Sequence, residues 1–140
     1  EAALEEALER RVWLKSGGYL VIEPTEALTV VDVNTGKYSG KKNAEDTILK
    51  INLEAAAETA RQLCLRNLSG IIIVDFIDMA REEHKQQLLT ALEEELKKDP
   101  VKTVLVDMTK LGLVEITRKK VRKPLHEVYG RGVKPNGVPN

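Results

Sequence analysis

The sequence has 140 residues, of which 42% are hydrophobic and 31% are charged, with 22 Lys and Arg against 22 Asp and Glu. This length and balance predict one folded globular domain. A single cysteine, Cys64, excludes an internal disulfide and a cysteine zinc cluster, so we expect a reducing compartment, the cytoplasm. No apolar run approaches the ~20 residues that cross a bilayer, which excludes a membrane-spanning helix in this sequence. A net charge of zero at first argues against a polyanionic partner.

The acidic and basic residues are separated along the chain, however. Residues 1–10 hold four glutamates and one arginine, a net charge of −3, and their apolar positions at helical spacing predict an amphipathic helix. Because the chain starts without Met or a capping residue, we expect this helix to continue from an upstream region. Residues 118–140 hold seven basic side chains against Glu127, a net charge of +6. The neutral total therefore conceals a polarised chain.

The first third of the chain predicts three strands. Residues 11–15 and 19–23 are β-type runs, and Ser16-Gly17-Gly18 supplies the residues that a hairpin turn between them needs. A third strand covers 27–33, and the polar residues 37–43 that follow it predict a loop.

The rest of the chain alternates helices and strands. Apolar positions at helical spacing predict a helix from Ala44 to about Asn67, with Gly70 as its stop. The continuous β-branched run at 71–77 is typical of a strand that is buried on both faces. The remaining predicted elements are a helix over 81–98 and strands over 101–106 and 113–117. Together they predict an α/β (α+β) fold, with a mixed β-sheet flanked by helices.

Two of the predicted strands carry an aspartate near their carboxyl end. Asp32 and Asn34 share one face of the third strand, because side chains alternate along a strand, and Asp75 lies near the end of the next strand. If the two strands are neighbours, these oxygen atoms converge, and a hard divalent cation such as Mg²⁺ stabilises such a cluster. Alternatively, strand-end Asp and Asn cap the helix or turn that follows.

Five other residues admit more than one interpretation. We interpret Asp78 as the N-cap of the second helix, Asp107 as an ambiguous strand-end carboxylate and His84 as a solvent-facing side chain. Either Trp13 or Tyr19 could stack on a nucleobase, but packing across the first hairpin is the favoured interpretation.

The segment Arg118-Lys-Lys-Val-Arg-Lys123 is the strongest electrostatic feature of the chain. It can present several phosphate-binding donors close together, or it can be a solvated charge run. Lys37, Lys41 and Lys42 follow the Asp32 cluster directly, an arrangement that suits an enzyme acting on a phosphodiester. We predict that the metal and the phosphodiester substrate bind on the same side of the sheet.

Three long strings, at residues 11–40, 46–79 and 111–125, closely resemble the catalytic region of the bacterial ribonuclease E/G family. They include GGYLVIEPTEALTVVDVNTG, GIIIVDFIDM and LGLVEITRKK. The resemblance implies a cytoplasmic, Mg²⁺-dependent endoribonuclease, with Mn²⁺ as a substitute. Its expected substrate is single-stranded, A/U-rich RNA with a 5′-monophosphate, cut in rRNA maturation and mRNA decay.

The same resemblance implies site residues within a subdomain that is similar to deoxyribonuclease I. The family's two metal-binding aspartates fall on Asp32 and Asp75, and its catalytic asparagine falls on Asn34. An arginine of its 5′-monophosphate sensor falls on Lys102, where lysine keeps the charge but loses the bidentate fork. The expected RNA-binding residues are Lys37, Lys102, Arg118 and Arg122.

We therefore expect three parts: a helix over 1–10, a catalytic nuclease subdomain over 11–125 and a flexible basic tail over 126–140. The resemblance places a zinc link, which joins protomers of a homo-oligomer, in the full-length protein and outside this chain. We expect the isolated chain to cleave RNA weakly or not at all. The alternative function is a non-catalytic RNA-binding or oligomer-scaffolding module.

Overall fold

The computed structural model describes residues 9–36 and 44–121. The predicted helix over 1–10 falls almost entirely outside these ranges, and residues 9 and 10 are not helical. The predicted loop over 37–43 and the tail over 126–140 also lie outside the described residues. Neither of the two helices within these ranges combines the length and the apolar character needed to cross a membrane.

The described chain contains six strands and two helices, in the predicted order. The strands are β1 (Arg11–Trp13), β2 (Tyr19–Pro24), β3 (Leu28–Asn34), β4 (Gly70–Asp75), β5 (Thr103–Met108) and β6 (Leu113–Arg118). The helices are α1 (Ala44–Leu65), between β3 and β4, and α2 (Glu82–Leu96), between β4 and β5. The predicted elements are confirmed, with ends that differ by a few residues.

The strands form one mixed sheet in the order β1-β2-β3-β4-β6-β5. Among them, β3 and β4 pair in parallel, and each of the other pairs is antiparallel. Because β6 is antiparallel to both of its neighbours, β5 runs in the same direction as β4. We call the edge at which β3 and β4 end the carboxyl edge, and the edge at which they begin the amino edge.

The hydrophobic core lies on one face of this sheet only, within the described ranges. Ile72 and Val74 of β4 face the core and are fully buried, whereas Ile71 on the opposite face is 46% exposed. Both helices contribute to the same core cluster. The expected mixed sheet flanked by helices is therefore confirmed, with both helices on one face. The expectation that β4 is buried on both faces was wrong.

The direction of the two crossover connections explains this one-sided arrangement. The connection through α1 moves from β3 to β4, and the connection through α2 moves onward in the same direction to β5. Right-handed crossovers that proceed in one direction place their helices on one face. The other face, which carries Asp32 and Asp75, stays uncovered by any described helix.

Helix α1 ends at Leu65, two residues before the predicted end near Asn67, and the residue that stops it is Asn67 rather than Gly70. Asn67 adopts a left-handed backbone conformation with φ 52°. Its N–H donates to the Cys64 carbonyl at 3.1 Å, and the Leu68 N–H donates to the Leu63 carbonyl at 3.0 Å. This pair of hydrogen bonds is a Schellman motif, in which asparagine tolerates the conformation that glycine usually supplies.

Candidate functional site

The carboxyl edge of the sheet brings Asp32 and Asp75 side by side. The two aspartates pair directly in the parallel register of β3 and β4. Neighbouring strands lie about 4.8 Å apart. Both side chains lie on the uncovered face, since Val33 and Val74 beside them face the core. The two strands are therefore neighbours, as the predicted cluster of oxygen ligands requires.

These two carboxylates have no hydrogen-bond or ion-pair partner among the described residues. Burial raises the pKa of the Asp75 carboxyl above its ordinary value, and the negative charges of Asp32 and Asp78 raise it further. Carboxylates that repel one another in this way are stabilised by a divalent cation with oxygen ligands. The edge is thus chemically suited to bind such a cation.

Asn34 lies two residues beyond Asp32, on the same face, and is half-buried. Its Nδ2 approaches the Asp32 carbonyl at 3.5 Å, a long contact that leaves the amide available to a ligand. The hairpin turn between β1 and β2 packs directly against this strand end. A Cβ at Gly18 would lie 2.7 Å from the Asn34 carbonyl oxygen, so the close approach requires glycine.

Asn52 of α1 holds the segment that follows Asp75. Its side chain is fully buried; Oδ1 accepts the Ile77 N–H at 3.1 Å, and Nδ2 donates to the Ile77 carbonyl at 2.9 Å. These bonds fix the backbone between Asp75 and Asp78. Sequence reasoning missed this residue, because a single asparagine on a helix looks like a solvent-facing position until the packing is known.

Asp78 and His84 differ from their predicted roles. The N-cap of α2 is Arg81, and no side chain caps the first turn, so Asp78 is not the N-cap. Its carboxylate instead lies close enough to Asp75 to raise the pKa of that group. His84 is buried rather than solvent-facing, and it lines a cavity of about 160 Å³ together with Asp78 and Glu45.

The described residues contain no group of three or more His, Cys, Asp or Glu side chains placed to hold a metal. The candidate donor set is therefore Asp32 and Asp75, with the amide of Asn34. This set fits Mg²⁺, which takes hard oxygen ligands, commonly uses one or two protein carboxylates and keeps several waters.

Arg118 is not placed to bind RNA. Its side chain is 0% exposed and forms a two-pronged ion pair with the 3% exposed Asp99, at 2.7 Å and 3.2 Å. It also donates to Asn67 Oδ1 and to the Leu68 carbonyl, both at 3.0 Å. The predicted phosphate contact of Arg118 is therefore corrected: all of these donors serve the interior of the fold.

The other basic residues of this segment lie at the amino edge, away from the carboxylates. β6 is antiparallel to β4, so it carries Lys119 and Lys120 to the level at which β4 begins. Lys102 lies there too, since its carbonyl accepts the Lys119 N–H at 2.9 Å. The length of β4 separates this edge from Asp75 by about 17 Å. These three lysines and the two aspartates therefore do not share one end of the sheet.

Two further predicted RNA-binding residues, Lys37 and Arg122, lie outside the described residues. The structure instead brings Lys85 and Lys110 to the carboxyl edge, where they line a cavity of about 230 Å³ with Asp78. Sequence reasoning missed Lys110, because only the insertion of β6 between β4 and β5 brings the β5–β6 hairpin beside Asp75. A larger cavity of about 400 Å³, lined by Cys64 and Asp99, lies between the helices and away from Asp32 and Asp75.

The chain is similar to known proteins over most of its length. The model of the Ribonuclease E/G family matches residues 1–121. Proteins named Ribonuclease G from Salmonella typhimurium (strain SL1344) and Escherichia coli (strain K12) are each 54% identical over 140 residues, covering 94% of this chain and 29% of theirs. A protein named Ribonuclease E from Nostoc sp. (strain PCC 7120) is 49% identical over 129 residues, covering 92% of this chain and 19% of its own.

The chain thus spans less than a third of the length of these relatives. The match extends over the described sheet, including the strands that carry Asp32, Asn34 and Asp75. We conclude that the chain belongs to the ribonuclease E/G family.

Proposed function

We propose that this chain supplies the cleavage site of a Mg²⁺-dependent endoribonuclease that cuts single-stranded RNA. The observation that carries the proposal is the register pairing of Asp32 with Asp75, two carboxylates without a described partner at one edge of a sheet. Membership of the ribonuclease E/G family supports RNA as the polymer. The likeness to deoxyribonuclease I belongs to this proposal as well.

Each of the three residues has a proposed role. Asp32 and Asp75 hold the cation, and Asn34 orients the attacking water or the scissile phosphate. When bound there, Mg²⁺ supplies stabilisation of the extra negative charge on phosphorus in the transition state. Cleavage leaves a 3′-hydroxyl on one product and a 5′-phosphate on the other. The sheet contributes rigidity, because both aspartates lie within paired strands rather than on a loop.

The proposed phosphate contacts lie at two distances from the cleavage site. Lys85 and Lys110 flank the carboxyl edge and suit phosphates next to the scissile bond. Lys102 lies more than about 17 Å from Asp75 across the sheet, a distance that suits a remote part of the RNA, such as a 5′-monophosphate. Lys37 and Arg122 stay predicted contacts outside the described residues, and Arg118 is excluded by its burial.

An Asp75→Asn substitution in the complete protein tests the proposal. We expect Mg²⁺-dependent cleavage of a 5′-monophosphorylated, A/U-rich single strand to fall by at least about a hundredfold, because a neutral amide binds the cation weakly. Asp107→Asn is the matched control: it changes an exposed strand aspartate, whose Oδ1 accepts the Met108 N–H at 2.7 Å, on β5. Unchanged cleavage by Asp75→Asn would contradict the proposal.

The alternative function, a non-catalytic RNA-binding or oligomer-scaffolding module, predicts a different result. Calorimetric titration of the chain with Mg²⁺ or Mn²⁺ distinguishes the two, because a scaffold has no need to bind a cation at Asp32 and Asp75. We expect binding that Asp75→Asn removes and Asp107→Asn leaves in place. The cytoplasmic location, the homo-oligomer and its zinc link, and weak cleavage by the isolated chain stay predictions for the complete protein.

A further inference from the structure

An aromatic cluster lies on the uncovered face of the sheet beside the candidate site. The rings of Trp13 and Tyr19 pack across β1 and β2 with centroids 5.0 Å apart and an interplanar angle of 53°. The Arg11 guanidinium lies 4.3 Å from the Tyr19 ring centroid and 5.6 Å from that of Trp13. The predicted cross-strand packing is thus confirmed. We call these three residues the aromatic platform.

Cross-strand packing does not account for the exposure of this cluster. Trp13 is 62% exposed, although it carries a large apolar ring system whose burial would be favourable. Arg11 is also exposed and adds positive charge at the rings. An exposed aromatic ring next to a guanidinium is the combination that binds single-stranded nucleic acid, through stacking on bases and attraction of phosphates.

The register connects the aromatic platform to the carboxylates. Tyr19 pairs with Asn34, and Trp13 pairs with Tyr19, so these three side chains form one row across the uncovered face. In the next row, Arg11 and Asp32 both pair with Val21. Trp13 is therefore two strands from Asn34, or about 10 Å. That distance corresponds to about three stacked nucleotides.

We propose that the aromatic platform stacks a base of the RNA strand two to three nucleotides from the bond that is cleaved. The inference rests on the proposed function for the position of that bond. A base that stacks on Trp13 fixes one point of a flexible strand, which places a neighbouring phosphate at Asp32 and Asp75. Since every base has an aromatic face, the platform binds without a strong sequence preference.

Fluorescence of the 140-residue chain tests the stacking directly, because Trp13 is its only tryptophan. We titrate the chain with a ten-adenosine oligoribonucleotide in EDTA, so that no cleavage occurs. Stacking should quench the emission by at least about half at saturation. The control strand has the same length and charge but carries abasic ribose at every position. No quenching, or equal quenching by both strands, would overturn the proposal.

Kinetics of the complete protein provide the second test. We expect Trp13→Ala to raise KM for single-stranded RNA about tenfold with little change in kcat, and Trp13→Phe to restore most of the loss. Val104→Ala is the control, since Val104 is 42% exposed on the far strand β5. An unchanged KM for Trp13→Ala, accompanied by a change in the mass of the assembly, would assign Trp13 to a protein contact and overturn the proposal.

The two proposals fail in different ways. If Trp13 fluorescence responds to bases but Asp75→Asn still cleaves RNA, the platform stands and the cleavage site lies elsewhere. If Asp75→Asn is inactive but Trp13 responds to neither strand, the cleavage site stands and the platform is wrong.

Discussion

The amino edge and the carboxyl edge of the sheet each hold an aspartate, but the two differ in burial and in hydrogen bonding. At the amino edge, Asp99 is buried and bonded to Arg118, to the Val101 N–H at 2.9 Å and to the Thr103 hydroxyl at 3.0 Å. At the carboxyl edge, Asp75 is exposed and has no described partner. Paired and buried charge serves the fold, whereas unpaired charge at an open edge is available to a ligand.

The pKa shifts of the two aspartates follow this difference. Burial by itself would raise the pKa of Asp99, but the hydrogen bonds from Arg118, Val101 and Thr103 outweigh burial and hold that pKa below its ordinary value. The pKa of Asp75 is raised, because its partial burial and the neighbouring carboxylates Asp32 and Asp78 act in the same direction. The protein thus stabilises one carboxylate internally and leaves the other unstabilised.

The largest expected effect is on stability, when the same Asp→Asn substitution is made at each edge. Asp99→Asn should lower the free energy of unfolding by about 3–5 kcal/mol, because it leaves the buried Arg118 charge unpaired. Asp75→Asn should change it by less than about 1 kcal/mol, since the residue is exposed and has no described partner to lose. Urea denaturation of the chain at pH 7 measures both values.

Arg118→Leu serves as a check on this interpretation. It should destabilise the protein about as much as Asp99→Asn does, since it leaves the other half of the same buried pair. A small loss in both variants, or an equal loss in Asp75→Asn, would show that the two edges do not differ in the way described.

A smaller effect is expected in the dependence of stability on pH. Because the pKa of Asp99 is lowered in the folded protein, its ionised form stabilises the fold fully above the ordinary aspartate pKa of about 4. This contribution is lost as the pH falls through the lowered pKa. The difference in unfolding free energy between wild type and Asp99→Asn should therefore be constant from pH 7 to about 5 and shrink below about 4. A difference that stays constant down to pH 2 would contradict this assignment.

The smallest expected effect separates the lysines of the two edges. With a three-nucleotide RNA, Lys110→Ala should weaken binding by up to about fivefold. Lys102→Ala should have no effect, because Lys102 lies more than about 17 Å from Asp75 and a stacked three-nucleotide RNA is shorter than that. With a ten-nucleotide 5′-monophosphorylated RNA, each variant should reduce the slope of log affinity against log salt by about 0.7. Fluorescence anisotropy in EDTA measures these affinities. Equal effects of the two variants on the short RNA would remove the proposed division between near and remote contacts.

Most of the fold was predictable from local patterns. Alternating and continuous apolar runs located all six described strands, and helical spacing located α1 and α2. The ends were less predictable, because the end of α1 depends on Asn67 entering a left-handed conformation rather than on the later glycine. The one-sided core was missed, because a run such as Ile71-Ile72-Ile73 is equally apolar whether one face or both faces are covered.

The candidate site was predictable in its central residues and not in its surroundings. Asp32, Asn34 and Asp75 stand at strand ends in the sequence, and their convergence needs only that two parallel strands be neighbours. Arg118 was misassigned, because its charge is evident in the sequence whereas its burial against Asp99 depends on the antiparallel pairing of β6 with β4. Asn52 was missed for a similar reason.

The sequence by itself determined the order of the elements, the family and the three polar residues at the strand ends. These features can be predicted from residue type and spacing, because both apolar periodicity and family resemblance are recognised from the order of residues along the chain. Only the tertiary structure decided which charges are paired, which face of the sheet is open and which aromatic and basic side chains border the carboxylates. Those properties depend on contacts between residues far apart in the chain: the β1-β2-β3 register places the aromatic side chains, and the insertion of β6 between β4 and β5 places Arg118 and Lys110.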